Sequence, residues 1–126
     1  PQGTLTDITD DQFASVVAVN IRAPFVAARA AAKVMTEGGR IINIGSVWGE
    51  RVPFADIGLY SMSKAALAGF TRAWSRDLGP RGITVNCVQP GPIDTEMNPA
   101  DGPMGPILAP ITALGRSCAP RHATRP

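Results

Sequence analysis

The sequence predicts an α/β fold built on a parallel β-sheet. Two stretches with helical periodicity, from Asp10 to about Thr36 and from about Tyr60 to Gly79, alternate with two β-branched runs, Arg40 to Ser46 and Ile83 to Gln89. The links between them are short and rich in glycine and proline. Helix, strand, helix, strand in this order is typical of parallel strands joined by right-handed crossover helices.

The first helix has a start signal and an interruption. Thr9 and Gln12 have the spacing of a capping box, which predicts that the helix begins at Asp10. Pro24 falls inside the same periodic stretch. Because proline has no N–H, it leaves the carbonyl of Asn20 without its helical partner, so we expect a kink at this point.

The remaining elements are bounded by glycine and proline. Residues 47–59 contain several such breakers and are predicted to be a loop between the first strand and the second helix. The second helix is expected to end at Gly79, and the second strand at the run that begins with Pro90. Residues 99–110 are rich in Pro, Gly and Met and are predicted to be an irregular loop. Residues 117–126 show neither helical nor strand periodicity.

Composition excludes several classes of protein. The 126 residues suit one compact domain, and the formal charge of +2 is small. Arg116, Arg121 and Arg125 give residues 116–126 a charge of +3 without any acid, which leaves −1 for residues 1–115. The net charge is therefore no argument for a nucleic-acid partner.

The cysteine, histidine and apolar residues bear on disulfides, metal sites, cellular location and membrane partners. The sequence has only two cysteines, Cys87 and Cys118, and one histidine, His122. These are too few for a disulfide framework or a tetrahedral metal site, so we predict neither feature. We predict instead a reducing, cytoplasmic location. No run approaches the ~20 apolar residues of a membrane span, so no membrane partner is predicted.

Four polar residues form a candidate catalytic set. Tyr60 and Lys64 are four residues apart on the second helix and project from one face. An ammonium beside a phenol favours the phenolate and suits the pair to general acid/base chemistry. Ser46 ends the preceding strand, at the edge where parallel sheets bind ligands, and Asn20 carries the freed carbonyl. Taken alone, the spacing of Tyr60 and Lys64 also fits a half-buried tyrosine beside a solvated lysine.

These residues lie in ordered motifs, and with them the sequence resembles the short-chain dehydrogenase/reductase family. The resemblance covers roughly Leu5 to Arg116. It rests on five features in order: Asn20 in the first helix, the strand that ends at Ser46 with Gly49 after it, the run from Tyr60 to Lys64, the strand and turn from Arg81 to Gly91, and the segment from Pro92 to Met97.

The resemblance implies a role for each residue of the catalytic set. Tyr60 would exchange a proton with a small carbonyl or alcohol substrate, and Lys64 would hold the nicotinamide ribose hydroxyls. Ser46 would hydrogen-bond the substrate carbonyl. Asn20 would hold, through its main-chain carbonyl, a water that links Lys64 to solvent.

The resemblance also implies a cofactor and a quaternary structure. The cofactor would be NAD or NADP, with its nicotinamide lined by four residues after the second strand: Pro90, Gly91, Ile93 and Thr95. Thr95 can equally be the cap of a short helix, because Ser and Thr are preferred at that position. The two helices would pair across a homodimer or homotetramer interface, and we expect Trp48, Phe70 and Trp74 to be core or subunit contacts.

The length differs from that of the family, whose domain has about 250 residues. The sequence contains neither a glycine-rich turn after a first strand nor an Asn-Asn-Ala-Gly segment before the first helix. The resemblance therefore implies that residues 1–116 are the second, catalytic half of a Rossmann-like, doubly wound sheet. We expect the chain alone to be inactive, and residues 117–126 to be a basic tail that arises from a slip of reading frame.

Two function classes remain open within the family. The run from Pro90 to Pro103 is similar to a bacterial branch that contains 3-oxoacyl-reductase-like enzymes and a cyclic-di-GMP-binding regulator of biofilm dispersal. The first class is an NAD(P)-dependent oxidoreductase; the alternative is a regulator that binds the nucleotide without catalysis. The complete set of Asn20, Ser46, Tyr60 and Lys64 favours the enzyme, because a binding protein has no evident need of all four.

Overall fold

The computed structural model describes residues 2–96 and 98–119. They divide into two compact units, one ending at Gln89 and one beginning at Pro90. The first unit contains both long helical segments and both strands, and the second contains short helical turns.

The first helical segment starts where the capping box predicts. Helix α1 spans Asp10–Val17, and Thr9 and Gln12 satisfy each other's main-chain N–H groups. The Thr9 hydroxyl accepts from the Gln12 N–H at 3.2 Å, and the Gln12 side-chain oxygen accepts from the Thr9 N–H at 2.9 Å. The predicted start is confirmed. Helix α2, Ala23–Val34, ends just short of the predicted Thr36, since Met35 is extended.

The interruption predicted at Pro24 takes the form of a π-helical turn, Ala18–Arg22, between α1 and α2. In this turn the Ala23 N–H donates to the Ala18 carbonyl, five residues earlier, instead of four. Pro24 consequently lies in the first turn of α2, where a missing N–H costs little. Asn20 is the middle residue of the π-helical turn.

The composite helix Asp10–Val34 is long and apolar enough to cross a membrane by length and composition. The core helix of a soluble protein can have the same composition, so this is weak evidence and the expectation of no membrane partner stays a prediction. Very little of the segment is buried within the chain: Val19 is 66% exposed and Val34 is 80% exposed.

The two strands form a parallel pair, as predicted. Strand β1 spans Arg40–Ile44 and β2 spans Thr84–Val88, with Asn43 opposite Cys87. Both are shorter than the predicted runs. Because side chains alternate along a strand, Ile42, Ile44 and Val88 share one face of the pair, and all three are at least half exposed.

The other face of the strand pair is covered by helix α3, Gly58–Leu78. Asn43, which is buried, donates from Nδ2 to the Thr71 hydroxyl of α3 at 2.8 Å. The helix begins two residues before the predicted Tyr60, since the Ile57 carbonyl already accepts from the Ser61 N–H at 2.9 Å. The predicted loop before it also contains a 3₁₀ turn, Val47–Gly49.

The end of α3 leads into a contact that ties it to α2. A 3₁₀ turn, Gly79–Arg81, closes on Gly82, which has a positive φ of 67°. The Arg81 guanidinium donates to the carbonyls of Ala32 and Met35, each at 2.7 Å. These carbonyls lie at the C-terminal end of α2, where a cation is favoured by the helix dipole.

The second unit contains more regular structure than the sequence predicts. Within the predicted irregular loop 99–110, a one-turn helix α4 spans Gly105–Leu108 and leads into a 3₁₀ turn, Ala109–Ile111. Pro106 fits the first turn of α4, and Leu108 is 1% exposed. Residues 99–104 are irregular, as predicted, and the helical turns after them are regular structure that the sequence did not indicate.

Residues 117–119 pair with the chain that follows Pro90. The Cys118 N–H donates to the Pro92 carbonyl, and the Asp94 N–H donates to the Cys118 carbonyl, both at 2.9 Å. Arg121, His122 and Arg125, on which the predicted basic tail depends, lie outside the described residues. The slip of reading frame stays a prediction.

Candidate active site

Tyr60 and Lys64 lie together on the first turns of α3. The Lys64 Nζ is 5.6 Å from the centroid of the Tyr60 ring, so the ammonium lies over the face of the phenol. Tyr60 is 36% exposed, which leaves its ring accessible to a small molecule. In this arrangement the phenol can hold and transfer a proton, and the ammonium can stabilise the phenolate that remains.

Lys64 also connects α3 to the carboxyl end of β1. Its Nζ donates to the Ile44 carbonyl at 3.0 Å, and Ile44 is the last residue of that strand. Ser46 follows two residues later. The hydrogen bond therefore places the lysine at the edge of the sheet where the serine emerges.

Ser46 is buried, at 5% exposed, and its hydroxyl has a defined partner. Its Oγ accepts from the Trp48 N–H at 3.2 Å, at the start of the 3₁₀ turn that follows the strand. An oxygen that accepts from the main chain keeps its own proton free to donate. Ser46 can thus donate a hydrogen bond to a substrate oxygen.

Trp48 belongs to this cluster, which the sequence did not indicate. Its ring lies edge-on to that of Tyr60, with centroids 6.2 Å apart, and edge-on to that of Phe54 at 5.3 Å. We expected a core or subunit contact; the structure places the indole beside the candidate proton donor. Its position two residues after Ser46 is the signal that could have identified it.

Asn20 reaches the same part of α3 from the π-helical turn. Its Nδ2 donates to the Ser63 Oγ at 3.1 Å, and the Ser63 hydroxyl donates to the Tyr60 carbonyl at 2.8 Å. Ser63 is completely buried. Sequence reasoning missed this serine, although it stands immediately before Lys64.

Gly49 allows the loop after β1 to approach α3 closely. A Cβ on Gly49 would lie 2.8 Å from the main-chain nitrogen of Ala65 and 2.9 Å from the carbonyl carbon of Lys64. Backbone atoms of a helix move little, so only glycine fits between them. The close approach brings the turn of Ser46 and Trp48 against the helix of Tyr60 and Lys64.

The four residues predicted to line the nicotinamide belong to the second unit. Pro90 and Gly91 begin it, Ile93 forms a bridge with Cys118, and Thr95 forms one with Asn98. The Thr95 hydroxyl accepts from the Asn98 N–H at 3.3 Å. Thr95 therefore lies in a turn closed on Asn98 and not at the start of a helix, because the next described helix begins at Gly105. The cofactor role stays a prediction.

Residues 2–96 and 98–119 give no indication of a metal centre. No group of three or more His, Cys, Asp or Glu side chains in these ranges could hold a metal ion. The polar atoms that come together are instead a phenol, an ammonium, a hydroxyl and an amide. Groups of these types can hydrogen-bond a small organic molecule, and a phenol can also give it a proton.

The chain is similar to known proteins over nearly its whole length. Residues 1–122 match the family described as enoyl-(acyl carrier protein) reductase. A cyclic-di-GMP-binding biofilm dispersal mediator protein of Escherichia coli is 48% identical over 120 residues, which are 95% of this chain and 51% of that protein. A 3-oxoacyl-(acyl-carrier-protein) reductase of Pseudomonas aeruginosa is 44% identical over 95 residues, 74% of this chain and 38% of that protein.

The fold is also shared with solved structures. A short-chain dehydrogenase of Burkholderia cenocepacia, crystallised with NADP, superimposes with a TM-score of 0.90 at 48% identity, over 94% of this chain and 49% of that one. The predicted fold class, part of a doubly wound parallel sheet, is confirmed. The chain spans about half the length of this structure and of the E. coli relative.

Proposed function

Because the chain belongs to the short-chain dehydrogenase/reductase family, we propose that it is the catalytic portion of an NAD- or NADP-dependent oxidoreductase. The substrate is a small carbonyl compound or the corresponding alcohol, of the 3-oxoacyl type. The observation that carries the proposal is the contact of Lys64 with both the Tyr60 ring and the Ile44 carbonyl, since it joins the acid/base helix to the strand end that holds Ser46.

The residues of the chain divide the work of the reaction. Bound NAD or NADP supplies or accepts the hydride. Tyr60 donates a proton to the carbonyl oxygen during reduction and removes it during oxidation, while the Lys64 ammonium stabilises the phenolate that forms. Ser46 donates a hydrogen bond to the same oxygen.

The donor set of the chain suits the nicotinamide end of such a cofactor. Lys64 has three N–H donors and the Ile44 carbonyl takes one, so two remain for ribose hydroxyls. These free donors support the assignment of Lys64 to the cofactor.

The setting of the protein is part of the proposal. The aromatic rings of Phe70 and Trp74 stack at 4.7 Å on α3, and Phe25 of α2, which is 38% exposed, lies 6.2 Å from Phe70. Such an apolar pair of helices supports a homodimer or homotetramer.

We propose a cytoplasmic location because the chain has only two cysteines, both free.

Replacement of Tyr60 tests the function in a hybrid reductase. In this hybrid, residues 5–116 of the chain replace the corresponding segment of the P. aeruginosa reductase. We expect NADPH-dependent reduction of a 3-oxoacyl thioester, and its loss in Tyr60→Phe, because phenylalanine has no proton to give. Met62→Leu is the matched control, since Met62 is also 36% exposed on α3. A fully active Tyr60→Phe hybrid would refute the proposal.

The alternative function is cyclic-di-GMP binding without catalysis. It is favoured by the E. coli relative, whose name describes a cyclic-di-GMP-binding mediator. A second hybrid, in which the chain replaces the matched segment of that protein, separates the two classes by calorimetric titration with cyclic-di-GMP. Binding that survives Tyr60→Phe, together with an absence of reductase activity in both hybrids, would favour the regulator.

A further inference from the structure

Ser63 connects two elements that the reaction uses, and it has no assigned role. We propose that Ser63 is a positioning residue: it ties the Asn20 side chain to the turn of α3 that carries Tyr60 and Lys64, and thereby fixes the main-chain carbonyl of Asn20. The proposal rests on the proposed function and on the role that the family resemblance implies for that carbonyl, which is to hold a water that links Lys64 to solvent.

The hydroxyl of Ser63 is fully engaged. Its proton goes to the Tyr60 carbonyl at 2.8 Å, and its oxygen accepts from the Asn20 Nδ2 at 3.1 Å. With no exposed surface, the side chain has no access to bulk water that could replace either partner. A side chain without a hydroxyl at position 63 would leave the Asn20 amide without this acceptor.

The place that Ser63 fixes is one that needs support. Asn20 is in the middle of the π-helical turn, and such turns are rare because their hydrogen bonds are less favourable than those of an α-helix. Pro24 prevents the ordinary α-helical bond to the Asn20 carbonyl. A side-chain bond to a second helix, 43 residues away in the chain, holds the turn against relaxation.

The orientation of the Asn20 main-chain carbonyl matters for the reaction. The Asn20 amide points to Ser63, so the main-chain carbonyl of the same residue is held in a fixed orientation relative to α3. Without the Ser63 hydroxyl, the carbonyl keeps its chemistry and loses its orientation. Proton supply to Tyr60 through Lys64 would then slow, while cofactor binding by Lys64 would remain.

The test is a double-mutant cycle in the hybrid reductase with Asn20→Ala and Ser63→Ala. We expect Ser63→Ala to lower kcat between roughly 10- and 100-fold, as small misplacements of catalytic groups do, with an unchanged KM for NADPH. Because both variants remove the same tether, the double variant should lose little more than Asn20→Ala alone. Ser63→Thr, which keeps the hydroxyl, should recover most of the activity.

Ser75→Ala is the matched control. Ser75 is also a serine of α3 whose hydroxyl donates to a carbonyl three residues earlier, that of Arg72, at 2.8 Å. It makes this bond without a tie to Asn20. Additive losses in the cycle, or an equal loss in Ser75→Ala, would overturn the proposal and leave Ser63 as a packing residue.

A second measurement is independent of activity. The side-chain amide protons of Asn20, followed by nuclear magnetic resonance in the hybrid, should exchange with water more slowly than those of free asparagine. Exchange should accelerate in Ser63→Ala and not in Ser75→Ala. Fast exchange in the parent hybrid would overturn the tether itself, whereas slow exchange in an inactive parent would refute only the proposed function.

Discussion

At the scale of single residues, the candidate site depends on hydrogen bonds that leave particular protons free. The Ser46 hydroxyl accepts from the Trp48 N–H at 3.2 Å, so its proton remains for another acceptor. Lys64 gives one proton to the Ile44 carbonyl at 3.0 Å and retains two. A serine and a lysine with these free protons suit a site in which negative charge develops on a substrate oxygen.

Ser46→Ala tests the first of these protons. Removal of one donor to a developing oxyanion lowers kcat by about 100- to 1,000-fold in comparable sites. We expect a fall of this order in the hybrid reductase, with little change in the KM for NADPH. Steady-state kinetics measure both, and Ser15→Ala, on the exposed face of α1, is the control. A loss confined to KM would show that Ser46 only helps to bind.

At the scale of elements, the site forms where the loop after β1 is pressed onto α3. Gly49 makes this approach possible, since a Cβ there would come within 2.8 Å of the helix backbone. At its C-terminal end, α3 is joined to α2 by Arg81, whose guanidinium donates to the carbonyls of Ala32 and Met35. The spacing between the strand end, the loop and α3 thus depends on the absence of a side chain at Gly49.

Gly49→Ala should damage both stability and catalysis. The added methyl group must displace α3 or the loop, and overpacking of this kind costs about 1–3 kcal/mol. Urea unfolding of the hybrid reductase measures the loss, and kcat should fall because Lys64 moves with the helix. Gly58→Ala, at the start of α3 with open space around the added methyl group, should have little effect on either quantity. Equal effects in the two variants would contradict the close approach.

At the scale of the whole molecule, the chain spans about half the length of its relatives, and one face of its strand pair is apolar and exposed. Ile42 is 58% exposed and Ile44 is 55% exposed on the uncovered face of the strand pair. Among the described residues, each strand has a single strand partner. An exposed apolar strand of this kind favours association with other chains.

We expect the isolated chain not to bind dinucleotide. In our proposal the residues of this chain hold the nicotinamide end, and the resemblance implies that other residues of the family's domain hold the adenosine. Titration of the purified chain with NADPH, followed by cofactor fluorescence, should show no saturation. Micromolar affinity would contradict this prediction.

Ile42→Lys should have opposite effects in the two settings. In the isolated chain, a charge on the exposed face should reduce self-association, which sedimentation velocity measures. In the hybrid reductase, where we expect the rest of the protein to cover this face, burial of an unpaired lysine should destabilise the fold. Thr36→Lys, at an exposed position after α2 and outside the strand pair, is the control. A neutral effect in the hybrid would show that the face stays open.

The sequence by itself determined the order of elements and the identity of the polar set. The capping box at Thr9, the β-branched runs and the four-residue spacing of Tyr60 and Lys64 are local patterns, and local patterns are set by neighbours along the chain. Only the tertiary structure decided which groups meet across it. Ser63 and Asn20 are 43 residues apart, and the Arg81 guanidinium donates to the Met35 carbonyl 46 residues earlier. Contacts of this range depend on how the elements pack, so composition and periodicity do not specify them.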